Sequence, residues 1–129
     1  MKKQVEAWIK FADTDLLAVS EIIKIPELTN VAAFHCQQAI EKYFKAFILK
    51  NEKPLAKIHN LLTLYGTIKE ITDFGFDEDL LATINDIYLE SRYPWEMGLL
   101  DDGSMTTKEQ VNRFFEFAKE IEKTIKEKL

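Results

Sequence analysis

Cysteine, glycine and proline are all scarce in this chain of 129 residues. With four glycines and three prolines, it has too few chain-breaking residues for a many-stranded β fold with tight turns. The single cysteine, Cys36, excludes an intrachain disulfide and a zinc site built from several cysteines. No apolar run reaches the length of about 18 residues that a membrane span requires. Because residues 1–6 lack the apolar core of a signal peptide, we expect a cytoplasmic protein.

Positive charge is also in short supply. The chain has 17 lysines and arginines against 22 aspartates and glutamates, which gives a net charge of −5. This balance excludes a broad basic surface of the kind that holds nucleic acid non-specifically, although it leaves room for one local basic pocket. The apolar share of 47% is that of an ordinary globular protein. The length predicts a single domain over residues 1–129.

Apolar residues recur every three or four positions along most of the chain, which predicts amphipathic helices. The first stripe predicts a long helix that ends before Pro26, because proline cannot continue the backbone hydrogen bonding. A second long helix follows, with Thr29 or Asn30 as its cap, and it stops near Asn51. A shorter third helix is predicted over residues 59–70.

Two more long helices complete the prediction. The fourth starts at the acidic residues 77–79, which favour a helix N-terminus, and runs toward Arg92. The last starts at a capping box formed by Thr106 and Glu109, after an irregular stretch over 93–105. Because no stretch has a strict two-residue period, the predicted fold class is all-α, an up-and-down helical bundle of four long helices and one short helix. The aromatic stripes of the first two long helices favour a homodimer.

The second helix carries polar residues at informative positions. Gln37 falls on the apolar face, so it is either a structural hydrogen-bond hub, which we favour, or part of a polar site. Glu41 and Lys45 are spaced four residues apart, as are Gln38 and Lys42. Such spacing is typical of ion pairs and hydrogen bonds on a solvated helix face.

The histidines and the cysteine carry no recognisable catalytic motif. His35 lies roughly opposite the apolar stripe, which places it at the surface or at an interface. His59 lies at the predicted start of the third helix, where an imidazole can cap or orient the turn. Neither histidine has the spacing of a helical zinc motif. Cys36 falls within the apolar stripe, and we expect it to be buried and inert.

The most unusual segment joins an arginine to several aromatic residues. Tyr88 and Arg92 are one helical turn apart, and Tyr93 and Trp95 lie within the next three residues. Arginine beside aromatic rings is a common means of holding a phosphate and stacking a base. An equally good alternative is an arginine that pairs with the last helix carbonyls beneath an aromatic lid.

Six segments follow one another along the chain in a recognisable order: Ala12-x-x-Asp15-Leu16, AFHCQQAIEK over 33–42, Lys45-Ala46, His59-Asn60-Leu61, Tyr88-x-x-x-Arg92-Tyr93-Pro94 and Thr106-Thr107-Lys108-Glu109. Taken together, these segments resemble the HEPN domain family of small helical prokaryotic proteins, and the resemblance covers almost the whole chain. Of the matched polar residues, we expect Asp15, Gln37 and His59 to have structural roles.

The resemblance implies a helical bundle, usually a homodimer with the arginine-bearing helices near the dimer axis. Many family members are the toxin half of a pair with a minimal nucleotidyltransferase, and many are metal-independent ribonucleases. The ribonuclease motif is an arginine followed, after about four to six intervening residues, by a histidine, and the two together supply a cation for the phosphate and an acid–base group. Both subunits contribute to that site.

This sequence departs from the ribonuclease motif. It keeps a candidate arginine, Arg92, but it has no histidine after His59. In the toxin pairs, the partner can adenylylate a tyrosine downstream of the arginine. Here the candidates for that tyrosine are Tyr93 and, one turn earlier, Tyr88. Neither stands at the position that the family motif requires. Family members with Arg-Tyr-Pro and no histidine are often assigned a binding role alone.

Three functional hypotheses remain. The favoured one is a binding module without cofactor or metal, which binds a nucleotide, an RNA segment or a nucleotidyltransferase partner. The second is a ribonuclease toxin in which Arg92 stabilises the phosphate and Glu41 or His59 replaces the missing base. The third is a structural helical dimer without a ligand. The residues expected around the cleft of a binding module are Arg92, Tyr93, Tyr88, Gln38, Glu41 and Lys45.

Overall fold

The part of the chain that the structure describes folds into five α-helices and one short 3₁₀ helix. The structure is a computed structural model that describes residues 2–55, 57–92 and 106–129, with the main chain alone for 88–92. Within these ranges there is no β-strand, and the predicted all-α fold class is confirmed. None of the helices in these ranges is both long and apolar enough to cross a bilayer. The helices are α1 (Lys3–Ile22), the 3₁₀ helix (Pro26–Leu28), α2 (Thr29–Lys50), α3 (Leu61–Lys69), α4 (Glu78–Arg92) and α5 (Lys108–Glu127).

Helix α2 is the centre of the bundle and contacts each of the other four helices. Fourteen of its 22 residues are buried, so it has little solvated face. Helix α1 packs against it in the antiparallel direction. Near the start of α1, Trp8 lies under Lys45, whereas farther along α1, Asp15 contacts His35 and Lys42, which come earlier on α2. Polar residues of α2 are therefore enclosed between helices.

Three stacked aromatic rings hold the connection between α3 and α4 against α2. Phe44 of α2 lies 5.8 Å from the ring centroid of Tyr65 and 6.0 Å from that of Phe76. The Tyr65 hydroxyl accepts a hydrogen bond from the Phe76 N–H and donates one to Asp73. Gly75, in this connection, has a φ of 71°, a conformation that costs glycine little. The chain can thus turn sharply while both ends of the turn stay in the core.

A polar contact joins α5 to α1 and α2. Lys126 of α5 lies 2.9 Å from Asp13 of α1 and 2.9 Å from Glu122 on its own helix. The fully buried Tyr43 of α2 donates its hydroxyl to the same Asp13 carboxylate. Burial, and then the bond to Asp13, raise the pKa of the Tyr43 phenol. The C-terminal helix is thereby fixed near the middle of α1.

The ends of the first two helices agree with the sequence, but the predicted cap of α2 is wrong. Helix α1 ends before Pro26, and α2 ends next to Asn51. Neither Thr29 nor Asn30 caps α2, because Leu28 occupies the capping position without a side-chain hydrogen bond. The Asn30 side chain accepts instead from the Thr106 N–H at 2.8 Å, so a distant segment takes up its hydrogen-bonding capacity.

Two other helix starts differ from the prediction by one or two residues. Helix α3 begins at Leu61 rather than at 59, because Asn60 accepts hydrogen bonds from the first turn and is the cap. In α5 the capping box is formed by Thr107 and Gln110, not by Thr106 and Glu109. Helix α4 begins at Glu78, within the predicted acidic segment. The stretch predicted as irregular, 93–105, lies outside the described residues.

Candidate functional site

A buried carboxylate at the centre of α2 organises a cluster of polar side chains. Glu41 leaves 4% of its side chain exposed. One of its oxygens, Oε2, lies 2.9 Å from Lys45 Nζ and 3.0 Å from His59 Nδ1, and the other, Oε1, accepts from Gln37 Nε2 at 3.2 Å. Four of the five members come from α2, and His59 comes from the connection to α3. We call Gln37, Gln38, Glu41, Lys45 and His59 the Glu41 cluster.

Gln37 links the members of this cluster to one another. It is fully buried, in agreement with its place on the apolar face. Its amide nitrogen donates both to Glu41 and to the His59 carbonyl oxygen at 3.2 Å, and its amide oxygen accepts from Gln38 Nε2 at 2.7 Å. The two roles left open for Gln37 therefore coincide, since the hydrogen-bond hub is itself a member of the polar cluster.

The prediction that Glu41 and Lys45 lie on a solvated face of α2 is wrong. The pair is formed as the four-residue spacing indicates, but both side chains are buried. Lys45 is covered by α1, where its Nζ lies 5.2 Å from the Trp8 ring centroid, a distance typical of a cation–π contact. Helical spacing defines the pair, whereas its burial results from residues elsewhere in the sequence.

His59 is the member of the cluster that solvent reaches best. Its side chain is 66% exposed while Nδ1 is held by the buried Glu41 carboxylate. A hydrogen bond at one ring nitrogen fixes the orientation of the imidazole and determines which nitrogen is available for other contacts. Here Nε2 is the nitrogen left for a ligand. The helix-capping role considered for His59 belongs to its neighbour Asn60.

A second carboxylate, Asp15 of α1, holds the other histidine in a similar way. Asp15 Oδ1 lies 2.9 Å from His35 Nδ1, and Oδ2 lies 2.6 Å from Lys42 Nζ. His35, which was expected at the surface or at an interface, is 30% exposed and is held by Asp15 of α1. The expected partner of Lys42 is wrong. Lys42 pairs with Asp15 and not with Gln38, because α1 packs along this side of α2.

The predicted contribution of α4 to the cleft is described only in part. Tyr88 and Arg92 lie on the last turns of α4, where the structure describes the main chain alone, and Tyr93 lies outside the described residues. Asn85, earlier on α4, accepts from the Leu61 N–H at 3.1 Å, which places it near His59. Arg92 follows seven residues later, roughly 10 Å farther along a helix. The cluster described by the structure is thus formed by α2 and the connection to α3.

The buried thiol does not serve as a nucleophile. Cys36 is fully buried, and desolvation together with the nearby Asp15 charge raises its pKa to about 12. A thiol with so high a pKa stays protonated at neutral pH, and the thiolate is the reactive form. Among the described residues, no group of three or more histidines, cysteines and carboxylates is arranged to hold a metal ion.

If Gln37 is the hub of the cluster, its truncation will destabilise the fold. We expect Gln37→Ala to lower the free energy of unfolding by about 1–3 kcal/mol, because Glu41 and the His59 carbonyl lose a buried donor. Urea denaturation followed by circular dichroism measures the change. Gln4→Ala, at an exposed position on α1, is the matched control. Equal midpoints for Gln37→Ala and wild type would contradict the role of Gln37 as a hub.

Comparison with known proteins agrees with this architecture. The crystal structure of TT1696 from Thermus thermophilus superposes with a TM-score of 0.77 at 21% sequence identity, covering 99% of this chain and 100% of that one. At this identity the likeness shows the fold. A search of curated proteins gives no significant match. The family model of the HEPN domain matches residues 5–128, nearly the whole chain. The chain therefore belongs to the HEPN domain family.

Proposed function

We propose that this protein is a HEPN module that binds a nucleotide or a short RNA segment at the Glu41 cluster. The observation that carries the proposal is a buried ion pair, Glu41 with Lys45, beside an exposed imidazole whose Nδ1 is fixed. Membership of the HEPN family supports a role that involves nucleotides or RNA. The exposed side chain of His59 and the half-buried residue Gln38 are the members of the cluster that solvent reaches best.

Stability alone is a poor explanation for this cluster. Transferring two charges into a protein interior has a large desolvation penalty, and apolar residues of similar volume are often as stabilising in their place. A site that must present a fixed donor to a ligand gains from such a network, because the side chains are held before the ligand arrives. The buried pair is thus accounted for by the orientation of His59.

The charge of the chain favours a small ligand over a long nucleic acid. A net charge of −5 repels a polyanion at long range, and exposed charges are screened over about 10 Å at moderate salt. A nucleotide needs only a few local contacts. Arg92, at the end of α4, is the candidate for its phosphate, and Tyr88 and Tyr93 are the candidates for stacking on its base.

If Arg92 contacts the phosphate, Arg92→Ala should weaken nucleotide binding. We expect a loss of about 1–3 kcal/mol, the size of a charge-assisted hydrogen bond. Isothermal titration calorimetry with AMP and ATP measures it, with circular dichroism to show that the variant is folded. Arg113→Ala removes the other arginine of the chain, on the exposed side of α5, and should bind as wild type. Unchanged affinity in Arg92→Ala would remove Arg92 from the site.

We also propose that the module is a homodimer. Large apolar side chains are exposed near the start of the chain, among them Phe11 at 55% on α1 and Val31 at 42% on α2. A contiguous exposed apolar patch marks an interaction site, and we infer that these side chains contribute to one. A minimal nucleotidyltransferase partner, which the family resemblance implies, and a cytoplasmic location both stay predictions.

The dimer can be tested at Phe11. We expect sedimentation equilibrium to give twice the 15.0 kDa chain mass for wild type. Phe11→Glu should weaken dimerisation by about tenfold or more, because it places a charge in an apolar contact. Leu62→Glu is the matched control, since Leu62 is exposed on α3, outside the proposed interface. A wild-type protein that is monomeric at micromolar concentration would contradict the proposal.

A second candidate function, metal-independent RNA cleavage, is favoured by the Glu41–His59 contact. A histidine oriented by a buried carboxylate is a recurring general base. Nε2 of His59 would remove the proton from a ribose 2′-hydroxyl, and the 2′-oxygen would attack the adjacent phosphorus. The bond to the 5′-oxygen would break, that oxygen would take a proton from water, and a cyclic 2′,3′-phosphate would remain.

Cleavage of labelled RNA in the presence of EDTA separates the two functions. If the chain is a ribonuclease, His59→Ala should lower the rate about 10²–10⁴-fold, the usual contribution of a general base. His35→Ala removes the other histidine, which is also bound to a carboxylate, and should leave the rate unchanged. A wild-type rate equal to that of His59→Ala would exclude catalysis by His59 and leave binding as the function.

A further inference from the structure

The indole ring of Trp8, on α1, adjoins the Glu41 cluster through Lys45. Lys45 Nζ lies 5.2 Å from the centroid of the ring. The same Nζ lies 2.9 Å from Glu41 Oε2, the oxygen that also contacts His59 Nδ1. We propose that Trp8 stacks on the base of the bound ligand, and that this ligand is a purine nucleotide. The role of Trp8 rests on the function proposed for the Glu41 cluster, and it adds the class of ligand.

The two ends of this row of contacts are the parts that solvent reaches. Lys45 and Glu41, in the middle, are both almost fully buried. Trp8, at one end, is half-buried, and the side chain of His59, at the other end, is exposed. A nucleotide suits such an arrangement, because its base and its phosphate lie on opposite sides of the ribose. It can place the base on an indole while the ribose or the phosphate contacts an imidazole.

The contact with Lys45 holds the Trp8 ring in place. The Lys45 ammonium lies over the ring and is itself buried, so this part of the ring is closed to solvent. The part of Trp8 that solvent reaches therefore lies away from Lys45. A cation–π contact orients the ring as well as stabilising it. A stacking surface that is fixed before the ligand arrives loses less conformational entropy when the ligand binds.

A similar contact on α5 lacks the link to a polar cluster. Lys119 Nζ lies 4.5 Å from the ring centroid of Phe115, which is half-buried like Trp8. Lys119 pairs with Glu116, and both of these side chains are exposed. These three residues are neighbours on one helix, and their contacts are those expected of a helix surface. The contact of Trp8 instead joins two helices and leads through buried charges to an exposed imidazole.

Stacking on an indole favours a purine over a pyrimidine. Every base has a flat aromatic face, so an exposed tryptophan can stack on any of them. The two fused rings of a purine cover more of the indole and remove more apolar surface from water than the single ring of a pyrimidine. Trp8 lies on α1, whereas Tyr88 and Tyr93, the other candidates for stacking, follow one another near the end of α4.

Titration calorimetry of the full chain with AMP, CMP and ribose 5-phosphate tests the role of Trp8. We expect AMP to bind most tightly and ribose 5-phosphate, which has no base, to bind least tightly. Trp8→Leu keeps an apolar side chain beside Lys45 but removes the ring. It should weaken AMP binding about tenfold or more and leave the binding of ribose 5-phosphate unchanged. Trp8→Phe keeps a ring and should retain most of the affinity for AMP.

Phe115→Leu is the matched control, because it removes a half-buried ring beside a lysine outside the Glu41 cluster. It should bind AMP as wild type does. Thermal melting followed by circular dichroism shows whether each variant is folded. A defect in folding would weaken AMP and ribose 5-phosphate alike, whereas a lost stacking contact weakens AMP alone.

The fluorescence of Trp8 gives a second, direct readout. The chain has two tryptophans, Trp8 and Trp95, so Trp95→Phe leaves Trp8 as the single reporter. A base stacked on an indole quenches its emission. We expect AMP to quench Trp8 to a plateau, with the dissociation constant that calorimetry gives, and ribose 5-phosphate to leave the emission unchanged.

The outcomes separate stacking by Trp8 from the function proposed for the cluster. Stacking is overturned, while the site stands, if His59→Ala weakens AMP binding and Trp8→Leu does not. That result is expected if Tyr88 or Tyr93 alone holds the base. Stacking is also overturned if Trp8→Leu weakens AMP and ribose 5-phosphate equally, or if CMP binds as tightly as AMP. A wild-type chain that binds none of the three ligands overturns the proposed function and the role of Trp8 together.

Discussion

The buried carboxylate of Glu41 is the constraint on which the polar organisation of this molecule depends. An uncompensated charge in the middle of α2 would be very costly, so its oxygens must be satisfied from within the protein. Gln37 and Lys45 do so from the same helix, and His59 does so from the connection to α3. The contacts that compensate Glu41 therefore also place that connection against the central helix and fix the orientation of an exposed imidazole.

The same arrangement, a buried carboxylate bound to a histidine and a lysine, occurs twice in the chain with different consequences. Each of the two histidines binds a buried carboxylate through Nδ1, and each carboxylate also accepts from a lysine. His35, on Asp15, is largely covered because both α1 and α2 surround it. His59, on Glu41, lies in a connection at the surface and is about twice as exposed. Exposure, and not the pairing itself, makes the Glu41 cluster the better candidate for ligand contact.

The most informative departures from the sequence-based expectations occur where helix ends meet distant segments. The side chain of Asn30 is suited to cap α2, but the Thr106 N–H takes its oxygen. Thr29, the other expected cap, is left buried without a partner among the described residues. Local capping rules consider only the adjoining turn, and they cannot include a competing donor from 76 residues away.

The sequence predicts the helices, since apolar periodicity and proline act locally, and it identifies the family through segments matched in order along the chain. It also placed Gln37 on an apolar face and paired Glu41 with Lys45, because both follow from the helical repeat. Which of these groups are buried, and what else they contact, follows from the packing of the helices. Burial depends on the segments that pack over a residue, and here those are α1 and the connection carrying His59, which no spacing within α2 can specify.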